Sequence, residues 1–195
     1  MKVSDQKTFA QASPYASPHS LRTRLVLQLW EVVWQGACAW TPKPMCRWRL
    51  FVLRLFGATL HGTPFVHQRA RIHMPWNLVM HDRACLGDGA VAYSQGRIEI
   101  HARATVAQEA YLCTGTHDFS EPSLPLLTAA VVIGEDAFIG TRAFLMPGVT
   151  VGARSIVGAM SVVTKDVPPH VTVAGNPAKV IRDTGVRCNP EESAR

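Results

Sequence analysis

The segment "CTGTHDF" places His117 beside Asp118. An imidazole titrates near neutral pH, so it can take the proton of a hydroxyl under working conditions. The chain holds 8 histidines, and His117 is the one inside a break in an otherwise regular repeat. A lone loop histidine is usually solvated and idle, so its weight rests on what surrounds it. Asp118 is a candidate to orient the ring, although a neighbour in sequence need not face it. Asp88 in "LGDGAV" and Tyr93 in "AYSQG" lie shortly before and could face a polar substrate, or equally be solvent-facing turn residues.

The repeat that His117 interrupts must position it. Aliphatic residues stand at Ile133, Ile139, Leu145, Val151, Val157 and Val163, six apart each time. With 47% hydrophobic residues, six hits in six arise by chance about once in a hundred. Neither a helix nor a flat strand has that period. Glycine follows at Gly134, Gly140, Gly152 and Gly158, and a small or β-branched residue comes four places on, from Ala137 to Val167. Short strands joined by tight corners explain both features: the aliphatic residue points inward, the small residue packs at the corner, and the glycine is read as relaxing the backbone. Three hexads close one triangular coil, and coils stack at about 4.8 Å. Met80 and Leu86 keep the spacing, and Ile100, Val106 and Leu112 keep it in another phase. The phase slips across 113–132, which marks a loop leaving the coil, a common place for function.

Residues 21–62 differ. "LRTRLVLQLWEVVWQGACAW" is apolar with helical spacing, "TPKP" breaks it, and "MCRWRLFVLRLFGATL" mixes aliphatic residues with Arg47, Arg49 and Arg54. Arg24, Gln28 and Glu31 interrupt the first run, which makes it a poor membrane-spanning helix. Two readings stay open for 21–60: a cap over the end of the coil stack, or a membrane-surface hairpin with arginines at the headgroups. Residues 1–20 are polar and read as a disordered lead; 63–185 are the repeat domain with the loop 113–132; 186–195 are a tail. The 5 cysteines form no CxxC pair, so free thiols in a reducing compartment are expected. A net charge of +6 favours an anionic ligand or surface.

The hexads, "YLCTGTHDFSEPSLPL", "VGAMSVVTKDVPP" and "VAGNPAKVIR" resemble the hexapeptide-repeat acyltransferases, which fold as a left-handed parallel β-helix. The "PWNL" at 75–78 and "RWRLFVLRLFGATL" resemble the colanic-acid-type exopolysaccharide O-acetyltransferases among them. The resemblance implies a mainly β fold, with N-terminal helices and a short tail, that moves an acetyl group from acetyl-CoA to a sugar hydroxyl of a glycan precursor. It makes His117 the general base and puts an oxyanion donor at the Gly140 or Thr141 amide. It lines the coenzyme groove with Gly140, Thr141, Ala159, Thr164 and Lys165, and Lys165 and Arg182 meet the phosphates. Met160 stands where many relatives have glycine. The resemblance further implies a homotrimer with sites shared between chains, and together with residues 21–60 a cytoplasmic location extending to the inner membrane face. No metal is expected, and the lack of a basic run with interleaved aromatics beyond 47–56, or of a recognition motif, argues against nucleic acid. Two rivals stand beside it. A non-catalytic scaffold or membrane adaptor leaves His117 and Lys165 unexplained. A gamma-type carbonic anhydrase needs converging histidines; His81 and His101 are available, but their spacing suggests no such site.

Overall fold

The computed structural model describes residues 7–11, 13 and 17–183. The tail at 186–195, with Cys188, and residues 1–6, 12 and 14–16 of the lead lie outside the described residues. From Thr59 onward the chain winds as a parallel β-solenoid of about six turns. The first wall stacks β2 (Thr59–Leu60), β5 (Leu78–Met80), β8 (Ile98–Ile100), β13 (Val131–Ile133) and β16 (Thr150–Val151). The second stacks β3 (Phe65–Val66), β6 (Cys85–Leu86), β9 (Thr105–Val106), β14 (Phe138–Ile139), β17 (Ile156–Val157) and β19 (Val171–Gly175). The third stacks β4 (Arg71–Ile72), β7 (Val91–Tyr93), β10 (Tyr111–Cys113), β15 (Phe144–Leu145) and β18 (Val162–Val163). A last strand, β20 (Ala178–Asp183), pairs antiparallel with β19 and shields the end of the second wall.

Each wall sends one column of side chains into the prism. Met80, Ile100, Ile133 and Val151 are in register on the first wall, Leu86, Val106, Ile139 and Val157 on the second, Leu112, Leu145 and Val163 on the third; all are buried. Burying one such side chain contributes about 1.5–3 kcal/mol, and the columns repeat that gain at every coil. The small residues Ala137, Ala143, Ser155 and Ser161 fill the corners, buried as expected.

The glycines serve a different purpose from the one read in the sequence. Among the hexad glycines, a Cβ on Gly134 would lie 2.6 Å from the amide nitrogen of Ala153, and one on Gly140 2.6 Å from that of Ala159. Their role is to let the next coil's backbone approach. The left-handed corner comes two residues later, at Asp136, Arg142, Arg154 and Met160, with φ of 57°, 58°, 58° and 61°. At Met160 the backbone angle suits glycine, while the side chain points into solvent.

The phase slip has a plain geometric cause. Ile133 pairs with Val151, 18 residues on, but Leu60 pairs with Met80 and Met80 with Ile100, 20 residues apart each time. Both insertions fall between the third wall and the first, between Ile72 and Met80 and between Ala92 and Ile100. The excursion around His117 leaves at the same edge.

The helices cover the open lower end. In α2 (Cys46–Leu55) Leu50, Val52 and Leu53 are buried, and Arg49 is buried between helix and first coil. Its guanidinium donates to the carbonyls of Val66, Pro42 and Lys43 and to Thr41 Oγ1 at 2.8–3.1 Å. Buried charge is tolerated only with such satisfaction. The helix α1 (Leu21–Ala37) starts at Ser20, whose hydroxyl accepts from the Thr23 amide at 3.2 Å. Its Trp30 and Trp34, one turn apart, are buried, and their indole nitrogens donate to Ile72 O at 2.7 Å and Ala70 O at 3.1 Å. No helix among the described residues is long and apolar enough to cross a membrane.

Gly134→Ala forces backbone apart between coils and is expected to cost about 1–3 kcal/mol, read as a fall in melting temperature. Met160→Gly, at a left-handed position with an exposed side chain, is expected to leave the melting temperature unchanged or raise it. The reverse order would contradict this division of roles.

Candidate active site

The insertion after the third coil folds as a hairpin. β11 (Gly115–His117) pairs antiparallel with β12 (Leu126–Thr128), in register His117↔Leu126. Residues 7–9, expected within a disordered lead, form β1 (Lys7–Phe9) on the other edge of β12. Thr114 fixes the hairpin's base. It is buried; its Oγ1 donates to Tyr93 O at 2.6 Å and accepts from the Gly96 amide at 2.8 Å, and the Ala129 amide donates to its carbonyl at 2.9 Å. One residue thus joins the two ends of the excursion through its carbonyl and pins them to the coil below through its hydroxyl.

At the tip, His117 Nδ1 lies 2.7 Å from the carbonyl oxygen of Leu124. A carbonyl only accepts, so Nδ1 is the donor, and in the neutral ring Nε2 holds the lone pair. Leu124 presents that carbonyl from a left-handed conformation, φ 48°, closed by its own amide donating to Glu121 O at 2.9 Å. Asp118 does something else. Its Oδ1 accepts from the amide of Ser120 at 2.9 Å and from its hydroxyl at 2.6 Å, a local turn that holds the carboxyl below the ordinary range. The orienting acceptor for the ring is the backbone of Leu124, which sequence reading had no signal to find.

The remaining candidates fall on two prism edges. Thr164 and Lys165 are exposed at the corner between the third and first walls, the edge of the hairpin, two coils further along. Gly140, Thr141 and Ala159 line the corner between the second and third walls. There Gly140 N donates to Val157 O at 2.8 Å, so that amide is committed to the coil ladder. Thr141 Oγ1 donates to Gln108 Oε1 at 3.2 Å, and the Thr141 carbonyl accepts from the Met160 amide at 2.9 Å. Arg182 stands on β20, its Nε 3.4 Å from Thr172 Oγ1. Asp88 belongs to the Thr141 edge, two coils earlier. It is gripped by Arg69 through two hydrogen bonds and lies 3.2 Å from His67 Nδ1, so its carboxyl is held low, first by Arg69. Within one chain the third wall, with Tyr111 and Phe144 outward, separates His117 from Thr141 and Ala159.

A groove of about 810 Å³ opens at the hairpin's foot, lined by Gly96, Arg97, Thr128, Ala129, Asn77 and Trp76 among others. Gln95 spans it: His19 Nε2 donates to its Oε1 at 2.9 Å, and its Nε2 donates to His73 Nε2 at 3.1 Å. Burial pushes the His73 imidazole toward its neutral form. Tyr93, a sequence candidate, meets this set through Gln95 Nε2 at 3.4 Å from its hydroxyl.

Residues 130–165 match the family model described as bacterial transferase hexapeptide, six repeats. Over 173 residues the chain is 39% identical to WcaF of Escherichia coli (strain K12), a protein named for colanic acid biosynthesis and acetyl transfer; the match spans 88% of this chain and 95% of that one. The chain belongs to the hexapeptide-repeat acetyltransferases. It is therefore an acyltransferase on a solenoid scaffold. A shorter stretch, 57 residues and 29% of the chain, is 47% identical to the galactoside O-acetyltransferase of Escherichia coli (strain K12). The fold superposes on a Vibrio cholerae O1 biovar eltor hexapeptide-repeat acetyltransferase solved with acetyl coenzyme A, TM-score 0.78 at 21% identity, covering 87% of this chain and 93% of that one.

Because Leu124, and not Asp118, holds the ring, Asp118→Asn is expected to lower turnover less than about tenfold. An Asp118→Asn loss equal to that of His117→Ala, measured side by side, would return Asp118 to the proton path.

Proposed function

We propose that this acyltransferase moves an acetyl group from acetyl-CoA to a hydroxyl of an exopolysaccharide precursor, with His117 as general base. The observation that carries the reading is the Nδ1–H of His117 spent on the Leu124 carbonyl, which leaves Nε2 as the basic atom. In the step, the acceptor oxygen attacks the thioester carbonyl while its proton passes to Nε2. The tetrahedral oxyanion takes a hydrogen bond from the Thr141 amide, since the Gly140 amide is engaged elsewhere. Collapse breaks the carbon–sulfur bond, and the imidazolium returns the proton to the departing thiolate. The sugar occupies the groove under the hairpin, where Gln95 and Asn77 suit a polyhydroxylated ligand. Thr164, Lys165 and Arg182 receive the coenzyme's amide arm and phosphates.

The division of the candidates between two edges supports a homotrimer. In it the His117 edge of one chain faces the Thr141 edge of the next, completing a site that neither chain holds alone. The helices support a place at the inner face of the cytoplasmic membrane. Opposite the buried tryptophans, α1 exposes Leu21, Leu25, Leu29 and Val32, and α2 exposes Trp48, Phe51 and Leu55. Arg22, Arg24, Arg47 and Arg54 border these stripes, the arrangement that an anionic bilayer surface attracts. Both readings of residues 21–60 then hold at once, one on each helix face.

In a thiol-release assay with acetyl-CoA across a panel of glycans, His117→Ala is expected to lower turnover by about 10²–10⁴-fold; a loss below tenfold would remove His117 from the base role. For the membrane, Leu25→Glu with Phe51→Glu leaves the buried helix faces intact. The pair is expected to reduce co-sedimentation with phosphatidylglycerol vesicles by about tenfold or more. A wild-type chain that stays in the supernatant would end that part of the proposal.

A further inference from the structure

The corner between the first and second walls carries a histidine at the same place in each of the first three coils: His61, His81 and His101, next after Leu60, Met80 and Ile100. Later coils have Gly134 and Gly152 there. The rings stack along the prism, His61 on His81 at 4.9 Å between centroids and His81 on His101 at 4.8 Å with only 3° between planes. That separation is the coil spacing itself. Glu99 points outward from the first wall beside them. Its Oε1 lies 3.1 Å from His81 Nε2 and 3.6 Å from His101 Nε2. The three donor atoms fall within 4.8 Å of one another. Arg97 donates to the other oxygen at 3.0 and 3.2 Å, which fixes the carboxylate with Oε1 toward the imidazoles.

We propose that His81 Nε2, His101 Nε2 and Glu99 Oε1 form a divalent transition-metal site of zinc type. Two imidazoles and one carboxylate are a donor set for zinc, nickel, cobalt or copper, and a poor one for calcium or magnesium, which want oxygen. The coil spacing holds the rings parallel and sends both Nε2 atoms to one oxygen. Contraction to metal–nitrogen distances of about 2.0–2.1 Å takes side-chain rotation at a partly exposed corner, with water in the remaining position. Binding displaces the hydrogen bond between His81 Nε2 and Glu99 Oε1 and leaves both atoms to the ion. His81 belongs to the second coil and Glu99 and His101 to the third, so the ion staples adjacent coils. The sequence spacing of His81 and His101 suggested no site because a coil of 20 residues, longer than three hexads, brings them together. The site lies on a different edge from the His117 hairpin and stands independently of the acetyl-transfer proposal.

The test is titration of the full chain with zinc chloride at pH 7.5, by calorimetry and thermal melting. Wild type is expected to take up one zinc per chain with a micromolar dissociation constant, and saturating zinc should raise the melting temperature by about 5 °C. His81→Ala and His101→Gln should each weaken binding at least about tenfold, and Glu99→Gln should weaken it too. His61→Ala, which removes a stacked ring but no donor atom, should retain it. Failure of wild type to bind zinc, or binding unchanged in both His81→Ala and His101→Gln, overturns the proposal. If either variant misfolds, the cobalt-loaded wild type decides: a four- or five-coordinate absorption spectrum supports the site, and a spectrum of free aqueous cobalt contradicts it.

Discussion

The molecule depends on close approach between successive coils. Each coil donates its backbone to the next at strand spacing, and each inward column continues only if the following coil lands directly above. Two residue types enforce this. The aliphatic side chains supply the core, and Gly134 and Gly140 leave nothing between one backbone and the next where a Cβ would sit 2.6 Å from an amide nitrogen. The same close approach recurs at Gly87 and Gly152, and regular walls are what a catalytic constellation needs beneath it.

Relief from the constraint exists at one edge. The passage from third to first wall absorbs two extra residues in each of the first two coils and a whole hairpin in the third, while the other two corners hold their length. Function concentrates where length is free to vary. Thr114 converts the largest insertion from a loose loop into a fixed platform by bonding to Tyr93 and Gly96 of the coil below. The Leu124 carbonyl then sets the tautomer of His117. The His117 ring is thus oriented by backbone, and backbone orientation follows from how the hairpin is anchored.

Much of this was legible in the sequence, for reasons that differ by feature. The hexads from Ile133 to Val163 declared the solenoid because a period of six has few other physical origins. The 20-residue coils hid the earlier columns: Met80 and Ile100 stack, yet their separation breaks the count. The place of His117 on an excursion from the coil was legible because the break in the repeat was. The Leu124 carbonyl, the Thr114 pin and the Gln95 groove were not, since each joins residues through backbone atoms or across a coil, and such contacts leave no mark in residue type. Asp118 drew attention by adjacency alone, and its carboxylate turned instead to Ser120. The apolar helices were ambiguous because α1 is apolar on two opposite faces, one buried against the third wall and one exposed.

The central claim is that the imidazole of one chain acts on a thioester held at another chain's edge, and subunit mixing tests it most directly. Two inactive forms are prepared, His117→Ala, which keeps the groove, and Ala159→Trp, which fills it and keeps the imidazole. Each is assayed alone and after the two are unfolded and refolded together in equal amounts. The account predicts that the mixture regains about one quarter of wild-type activity, the share of sites that pair an intact imidazole with an intact groove in random trimers. A mixture as inactive as its components, in trimers shown to contain both forms, would contradict it.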